Sequence, residues 1–281
     1  MALNLPTFYK RTGSAIVFSI VMLGGMLWNV YAFFVLAASI QILCLRDYFR
    51  LVKKIDKETY RHKWLPVMTQ AAGLLLLLLV FMSYNFGWAT AAYWPALLCV
   101  PTLIILATAL SKKNSFMEGV QALGGMLYIL LPVSLLLYMR MTSLAIPLGL
   151  VLMIWVNDTM AYLVGSFIGK RPFSPISPNK TWEGTAGGAL LTIGAAALWG
   201  HYAPWYHMMD WMALAFCAAV AGTAGDLLES KLKRIAKVKD SGTLMPGHGG
   251  ALDRFDSLLV AAPFAFVYVY FFMAPVEVVV W

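Results

Sequence analysis

The sequence predicts an all-α, polytopic membrane protein of about nine spans, with its N-terminus inside and its C-terminus outside. Three observations predict it. The 281 residues are 61% hydrophobic and only 12% charged, with mean hydropathy +0.75, whereas a soluble domain carries about 25% charged residues. Apolar runs of about 20 residues recur, the length that crosses a bilayer as a hydrogen-bonded helix. The basic residues fall in alternate segments, as the positive-inside rule requires.

Spans are expected at 13–27, 29–47, 65–84, 92–110, 118–138, 142–165, 182–200, 209–226 and 257–278. Residues 14–45 read either as one long helix or as a hairpin turning near Gly24, Gly25 and Asn29. Charge decides for the hairpin. Lys10 and Arg11 precede the run, and Arg46, Arg50, Lys53, Lys54, Lys57, Arg61 and Lys63 follow it. Both flanks are then inside, and the run crosses twice. Twenty of the 21 lysines and arginines fall in inside segments, with Arg140 the exception. The loops near 85–91 and 201–208 hold no Lys or Arg, and Trp28, Trp88, Trp94, Trp205 and Tyr206 mark span ends as interfacial aromatics do. No cleavable signal peptide is expected, because no small-residue cleavage site follows the first apolar run.

The chain reads as a single membrane-embedded domain, 1–281. An N-terminal hairpin and basic cytoplasmic segment occupy 1–63. A catalytic portion, 142–281, carries cytoplasmic loops at 166–183 and 227–256. The segment 46–63 is expected as an amphipathic extension or loop whose charges form a solvated, lipid-facing rim. The net charge of +8 has the sign that suits nucleic acid. Its placement beside apolar runs argues instead for membrane lipids and phosphates as partners, with no nucleic acid. Cys44, Cys99 and Cys217 lie far apart in apolar segments, with neither metal-ligand spacing nor a disulfide framework.

Several polar groups need explaining. Asp158 lies inside the sixth span, in WVNDTMAYLVG. A carboxylate there costs about 3 kcal/mol or more. It must face a functional cavity, or else bond Asn157 or a neighbouring helix. The loop GKRPFSPISPNKTWEG follows, kept extended by three prolines. Thr181 can cap the next helix, whose first turn holds Glu183. Lys180 and Glu183 therefore stand at the inner mouth of span seven, as ligand groups or as a capped loop with a lysine in the headgroup zone. Gly184, Gly187 and Gly188 have the spacing of close helix packing.

The stretch from Asp226 to Asp256 is the longest interruption in the apolar sequence. If its helix continues, Asp226, Glu229, Ser230 and Lys233 share one face. Lys231, Arg234 and Lys237 make other faces basic. Lys239 and Asp240 lead into a glycine-containing loop, and His248, Gly249 and Gly250 precede the last span. Glycines let backbone approach a ligand, and free N–H groups at a helix start form an anion site. Asp253 and Asp256 lie one turn apart around Arg254; acids there also favour the helix dipole. Carboxylates such as Asp226 and Asp253 suit Mg²⁺, which takes one or two of them and fills its shell with water and phosphate oxygens. Lysines and a glycine turn suit a polyphosphate. The set describes phosphoryl or nucleotidyl transfer between a soluble nucleotide and a lipid headgroup at the cytoplasmic face.

The run SKLKRIAKVKDSGTLMPGHGGALDRFD, Ser230 to Asp256, resembles the signature of the phosphatidate cytidylyltransferases (CDP-diglyceride synthases). The N-D-T-x-A-Y at Asn157–Tyr162 and S-P-x-K-T-x-E-G at Ser177–Gly184 also resemble that family's pattern. Met245 and Ala251 depart from it, standing where larger aliphatic residues are usual, which bears on pocket shape. The resemblance implies condensation of CTP with phosphatidate to CDP-diacylglycerol and pyrophosphate in phospholipid biosynthesis. It implies a metal site at Asp226 and Asp253 for Mg²⁺, with a second cation for which K⁺ is the candidate. Lys233, Arg234 and Lys239 would hold the two anionic reactants. His248, Gly249 and Gly250 would cradle phosphate, and Asp240 and Asp256 would orient cationic groups or metal waters. Asp158, Lys180, Glu183, Ser230 and Arg254 complete the implied substrate-binding set. His248 is expected to order the loop, because a phosphate monoester needs no general base. A homodimer and a bacterial inner-membrane location are also implied. Two rivals remain: a cation- or proton-coupled secondary transporter using Asp158 and Asp226, and a transferase acting on another lipid phosphate or an isoprenoid alcohol. Against the transporter, the acids collect beside a phosphate-type turn and no inverted repeat is found.

Overall fold

The computed structural model describes residues 5–56, 64–85, 115–203, 205–244 and 249–275. Among these the chain is helices, connecting loops and one short hairpin. The helices are α1 (Leu5–Leu27), α2 (Val30–Ile55), α3 (Trp64–Asn85), α4 (Ser115–Gly125), α5 (Leu131–Thr142), α6 (Ala145–Ile168), α7 (Trp182–Tyr202), α8 (Met208–Ile235) and α9 (Leu252–Phe272). A π-helical turn, Met126–Leu130, joins α4 to α5. There the Leu131 N–H reaches back to the Met126 carbonyl, and the adjacent Pro132 has no N–H to give. Strands β1 (Pro172–Ser174) and β2 (Ser177–Thr181) pair antiparallel. Six helical stretches among the described residues are long and apolar enough to cross a membrane: Val30–Ile55, Trp64–Tyr84, Met117–Thr142, Ala145–Ile168, Met208–Ile235 and Leu252–Phe272. Helices α1 and α7 also cover the expected segments 13–27 and 182–200, although neither is among those six. The expected span 92–110 lies outside the described residues.

Three helices run beyond the expected membrane spans. Helix α2 runs to Ile55, α8 runs to Ile235 and α9 begins at Leu252. Each extension carries charged residues, so hydropathy stops before the helix does. Nothing in Arg46–Ile55 or Leu227–Ile235 breaks a helix, and lysines near both ends favour the dipole.

The chain forms two compact units, Met1–Leu144 with Leu232–Phe255, and Ala145–Lys231 with Asp256–Trp281. In the first, α2 buries a stripe through Phe33, Ala37, Ile40, Cys44, Asp47 and Leu51. Its turn from α1 is sharp because Asn29 caps α2, accepting the Ala32 N–H at 2.7 Å. Arg140, the basic residue outside the charge pattern, donates from Nε to the Met26 carbonyl at 3.2 Å. Its guanidinium lies 5.9 Å from the Phe33 ring centre. It satisfies a carbonyl at the end of α1, where the dipole is negative.

In the second unit, α6 and α7 pack through glycines. A Cβ on Gly188 would lie 2.8 Å from the backbone nitrogen of Ala161, and one on Gly184 2.7 Å from the Ala161 carbonyl. Gly187 meets Val164 in the same way. Close backbone approach supplies the contact that lipid, being as apolar as leucine, does not drive. Asp210 in the first turn of α8 accepts the His207 N–H at 3.1 Å and the Tyr268 hydroxyl of α9 at 2.8 Å.

Candidate active site

The first unit gathers its charged groups around the loop before α9. Asp253, in the first turn of α9, points its carboxylate back into that loop. Its Oδ2 accepts the Ser241 N–H at 2.9 Å, the Ser241 hydroxyl at 2.7 Å and the Gly250 N–H at 2.6 Å. Its Oδ1 meets Lys233 Nζ at 2.7 Å, with the side chains only 8% and 15% exposed. Ser241 is fully buried. Gly249 has φ +82°, the left-handed region that glycine adopts without strain. A Cβ there would also lie 2.5 Å from Asp253 Oδ2. The glycine turn expected to face phosphate thus gives its Gly250 N–H to the protein's own carboxylate. His248 lies outside the described residues.

Sequence reasoning missed Asp47. It falls in the segment 46–63 expected as a solvated rim, yet it is fully buried. Its Oδ2 accepts the Ala251 N–H at 2.7 Å, and its Oδ1 lies 3.5 Å from Arg46. Helical phase is the signal that finds it. Asp47 falls on the buried stripe of α2, whereas its neighbour Arg46 is exposed.

The second unit holds another lysine–aspartate pair. Lys180, at the end of β2, forms an ion pair with Asp226 of α8, both about 30% exposed. Ser230, one turn on, donates to Asp226 Oδ1 at 3.3 Å. Helix α8 does continue through this region, as the shared-face expectation requires, and Glu229 on it is fully buried. Gly225 packs against the backbone carbonyl of Asp256, and Gly222 touches Ser257. This crossing brings Asp226 and Asp256 to the same level of α8 and α9. Asp256 Oδ1 accepts the Ser257 N–H at 2.7 Å.

The hairpin that carries Lys180 is fixed from both ends. Thr181 Oγ1 accepts the Gly184 N–H at 3.1 Å, the expected cap. Glu183 Oε2 accepts the N–H groups of Lys170 and Arg171 at 3.1 and 3.2 Å. Phe173 and Trp182 pack edge to face, 4.5 Å apart. Glu183 therefore shapes the loop. Arg234, Lys239, Asp240 and Arg254 are exposed. Asp158 is exposed on α6, and Asn157 beside it is buried. The α6–α7 glycine contacts fall on Ala161 and Val164.

Among the described residues no three His, Cys, Asp or Glu side chains gather as a metal cage. The donors fit a cation that asks for few protein ligands. Asp226 has one long bond at Oδ1 and stands partly in solvent. At Asp253, three donors occupy Oδ2, and a cation would have to replace the Lys233 ammonium at Oδ1.

The chain is similar over 257 residues, at 30% identity, to a phosphatidate cytidylyltransferase of Staphylococcus aureus (strain COL), covering 90% of this chain and 95% of the relative. The protein of that name from Staphylococcus epidermidis (strain ATCC 35984) is 34% identical over 205 residues, 72% of this chain and 78% of the relative. That from Staphylococcus saprophyticus is 30% identical over 262 residues. Residues 9–272 match the cytidylyltransferase family, and with both charged clusters inside that span the chain belongs to the cytidylyltransferase family.

Proposed function

We infer that this protein condenses CTP with phosphatidate, giving CDP-diacylglycerol and pyrophosphate for phospholipid synthesis. The observation that carries the reading is that both aspartates proposed to hold the metal are matched by a lysine, Lys180 on Asp226 and Lys233 on Asp253. Such pairs keep acid and base ready beside one another. Asp226 and Asp253 would hold a cation in place of the lysines, which would then be free to bind phosphate. The staphylococcal relatives' name supplies the two substrates.

A phosphatidate oxygen attacks the α-phosphorus of CTP, the bond to the β-phosphate breaks, and pyrophosphate leaves with that electron pair. The nucleophile is already ionised near neutral pH, so no side chain must take a proton. The protein's task is positioning and charge neutralisation. Lys180 and Lys233 stand in the ion pairs, while Arg234, Lys239 and Arg254 offer exposed cations to the triphosphate or the lipid phosphate. Ser230 steadies Asp226, and Ser241 and Gly250 steady Asp253. Mg²⁺ is the cation proposed for Asp226 and Asp253, with K⁺ as the second; bound, it would offset charge on the phosphates.

The nine-span topology, with the N-terminus inside and the site on the cytoplasmic face of a bacterial inner membrane, is part of the same reading. It is supported by the confinement of all but one basic residue to alternate segments. A homodimer in lipid is also proposed. Incubation of purified protein with Mg²⁺, labelled CTP and phosphatidate tests the reaction. A labelled, organic-extractable lipid is expected, and its absence with phosphatidate but presence with a polyprenol would move the protein to another substrate class.

A further inference from the structure

We propose that Asp47, from the N-terminal hairpin, is a positioning residue for the reaction inferred above. It anchors residues 249–251 against Ser241 and Gly242, and so fixes where Asp253 meets Lys233. The proposal rests on that reading for its kinetic test, and on geometry for its structural one.

The described segments 241–244 and 249–251 meet at two carboxylates. Asp253 holds them from one side, through Ser241 and Gly250. Asp47 holds them from the other, through the Ala251 N–H at 2.7 Å. Two glycines give Asp47 its space. A Cβ on Gly242 would lie 2.6 and 2.7 Å from the two Asp47 carboxylate oxygens, and one on Gly250 would overlap Asp47 Oδ2 and come within 2.5 Å of the Gly242 nitrogen. Asp47 is fully buried within the packed stripe of α2, so it cannot swing aside. A side chain at Gly242 must therefore move the loop.

Charge points the same way. Asp47 lies at the start of α9, beside backbone N–H groups where the helix dipole favours an anion. A buried carboxylate is costly unless it is bonded; here its bonded oxygen serves one backbone group, Ala251, two residues before Asp253. The next residue, Leu252, opens α9. Asp47 thus sets where that helix begins, and with it the direction of the Asp253 side chain toward Lys233. Displacement of reacting groups by about 1 Å can cost about 100-fold in rate.

The test compares Asp47→Ala, Asp47→Asn and Gly242→Ala in the full chain, in detergent. Asp47→Ala is expected to lower kcat about tenfold or more, with a smaller change in KM for either substrate. Asp47→Asn keeps an oxygen for the Ala251 N–H and is expected to stay within about threefold of wild type. Gly242→Ala should reproduce the loss, and in the Asp47→Ala background should add little, because the atoms it strikes are gone. Trypsin cleavage after Lys239, located by mass spectrometry, should be faster in Asp47→Ala, since cutting requires the loop to open. The proposal is overturned if Asp47→Ala keeps kcat within about twofold and its cleavage rate unchanged, if Asn is no better than Ala, or if the two losses multiply. Should Asp47→Ala fail to fold, Gly242→Ala decides alone: normal kcat and normal cleavage overturn the idea. If wild-type protein makes no labelled lipid, the inferred reaction falls, while the cleavage rates still judge Asp47.

Discussion

Lys233 Nζ and Asp253 Oδ1 stand 2.7 Å apart, joining the end of α8 to the first turn of α9 across 20 residues of sequence. Both side chains are largely buried, so the pair is screened less by solvent than a surface bridge. Replacing Asp253 by Asn leaves the Lys233 ammonium without its counter-charge while keeping shape and one acceptor oxygen. Asp253→Asn is expected to lower turnover about 100-fold or more, equivalent to about 2.7 kcal/mol of transition-state stabilisation. Circular dichroism and gel filtration in detergent should be unchanged. Near-normal CTP-dependent lipid labelling by this variant would remove Asp253 from the chemistry.

Cation dependence should trace to Asp226. Chelation is expected to stop turnover without changing helix content, because the described helices are held by direct packing and hydrogen bonds. Asp226→Asn should raise the Mg²⁺ concentration for half-maximal rate about tenfold. A Mg²⁺ titration that superposes on wild type would assign the cation elsewhere.

Lys239 is exposed, and it meets its ligand from solution. Lys239→Ala is therefore expected to raise KM for CTP or phosphatidate several-fold and to change kcat little. The KM effect should shrink as salt rises, since exposed charges are screened over about 10 Å at 0.1 M ionic strength. Unchanged KM for both substrates would argue against contact.

The glycines of α7 should divide by what they touch. Gly188→Val drives a side chain into the backbone of Ala161, which cannot yield, and is expected to cost about 1–3 kcal/mol. Gly194 has open space around its Cβ position. Gly194→Ala should be neutral or stabilising by up to about 1 kcal/mol. Thermal unfolding in detergent measures both. Equal losses would mean that α6 and α7 do not pack as described.

Orientation can be read at the two ends of α7. A cysteine replacing His201 should react with an impermeant maleimide on intact cells. One replacing Arg171 should react only after permeabilisation. The reverse pattern would invert the proposed topology.

Much of this protein was written in its sequence. Lipid imposes one rule, that every backbone polar group be satisfied within a helix, so apolar length and basic flanks locate most of the helices without reference to neighbours. Local rules gave the Thr181 cap, the extended Pro-rich loop and the shared face of Asp226 and Ser230, because each depends only on residues a turn away. Tertiary structure decided the rest. Asp47 and Ala251 lie 204 residues apart, and no local pattern links a carboxylate in a basic segment to the start of the last helix. The same holds for Glu183, whose carboxylate accepts two backbone N–H groups 12 and 13 residues earlier. Where a side chain finds its partner far along the chain, only packing can choose it, since many partners satisfy the same charge and only one fits the space.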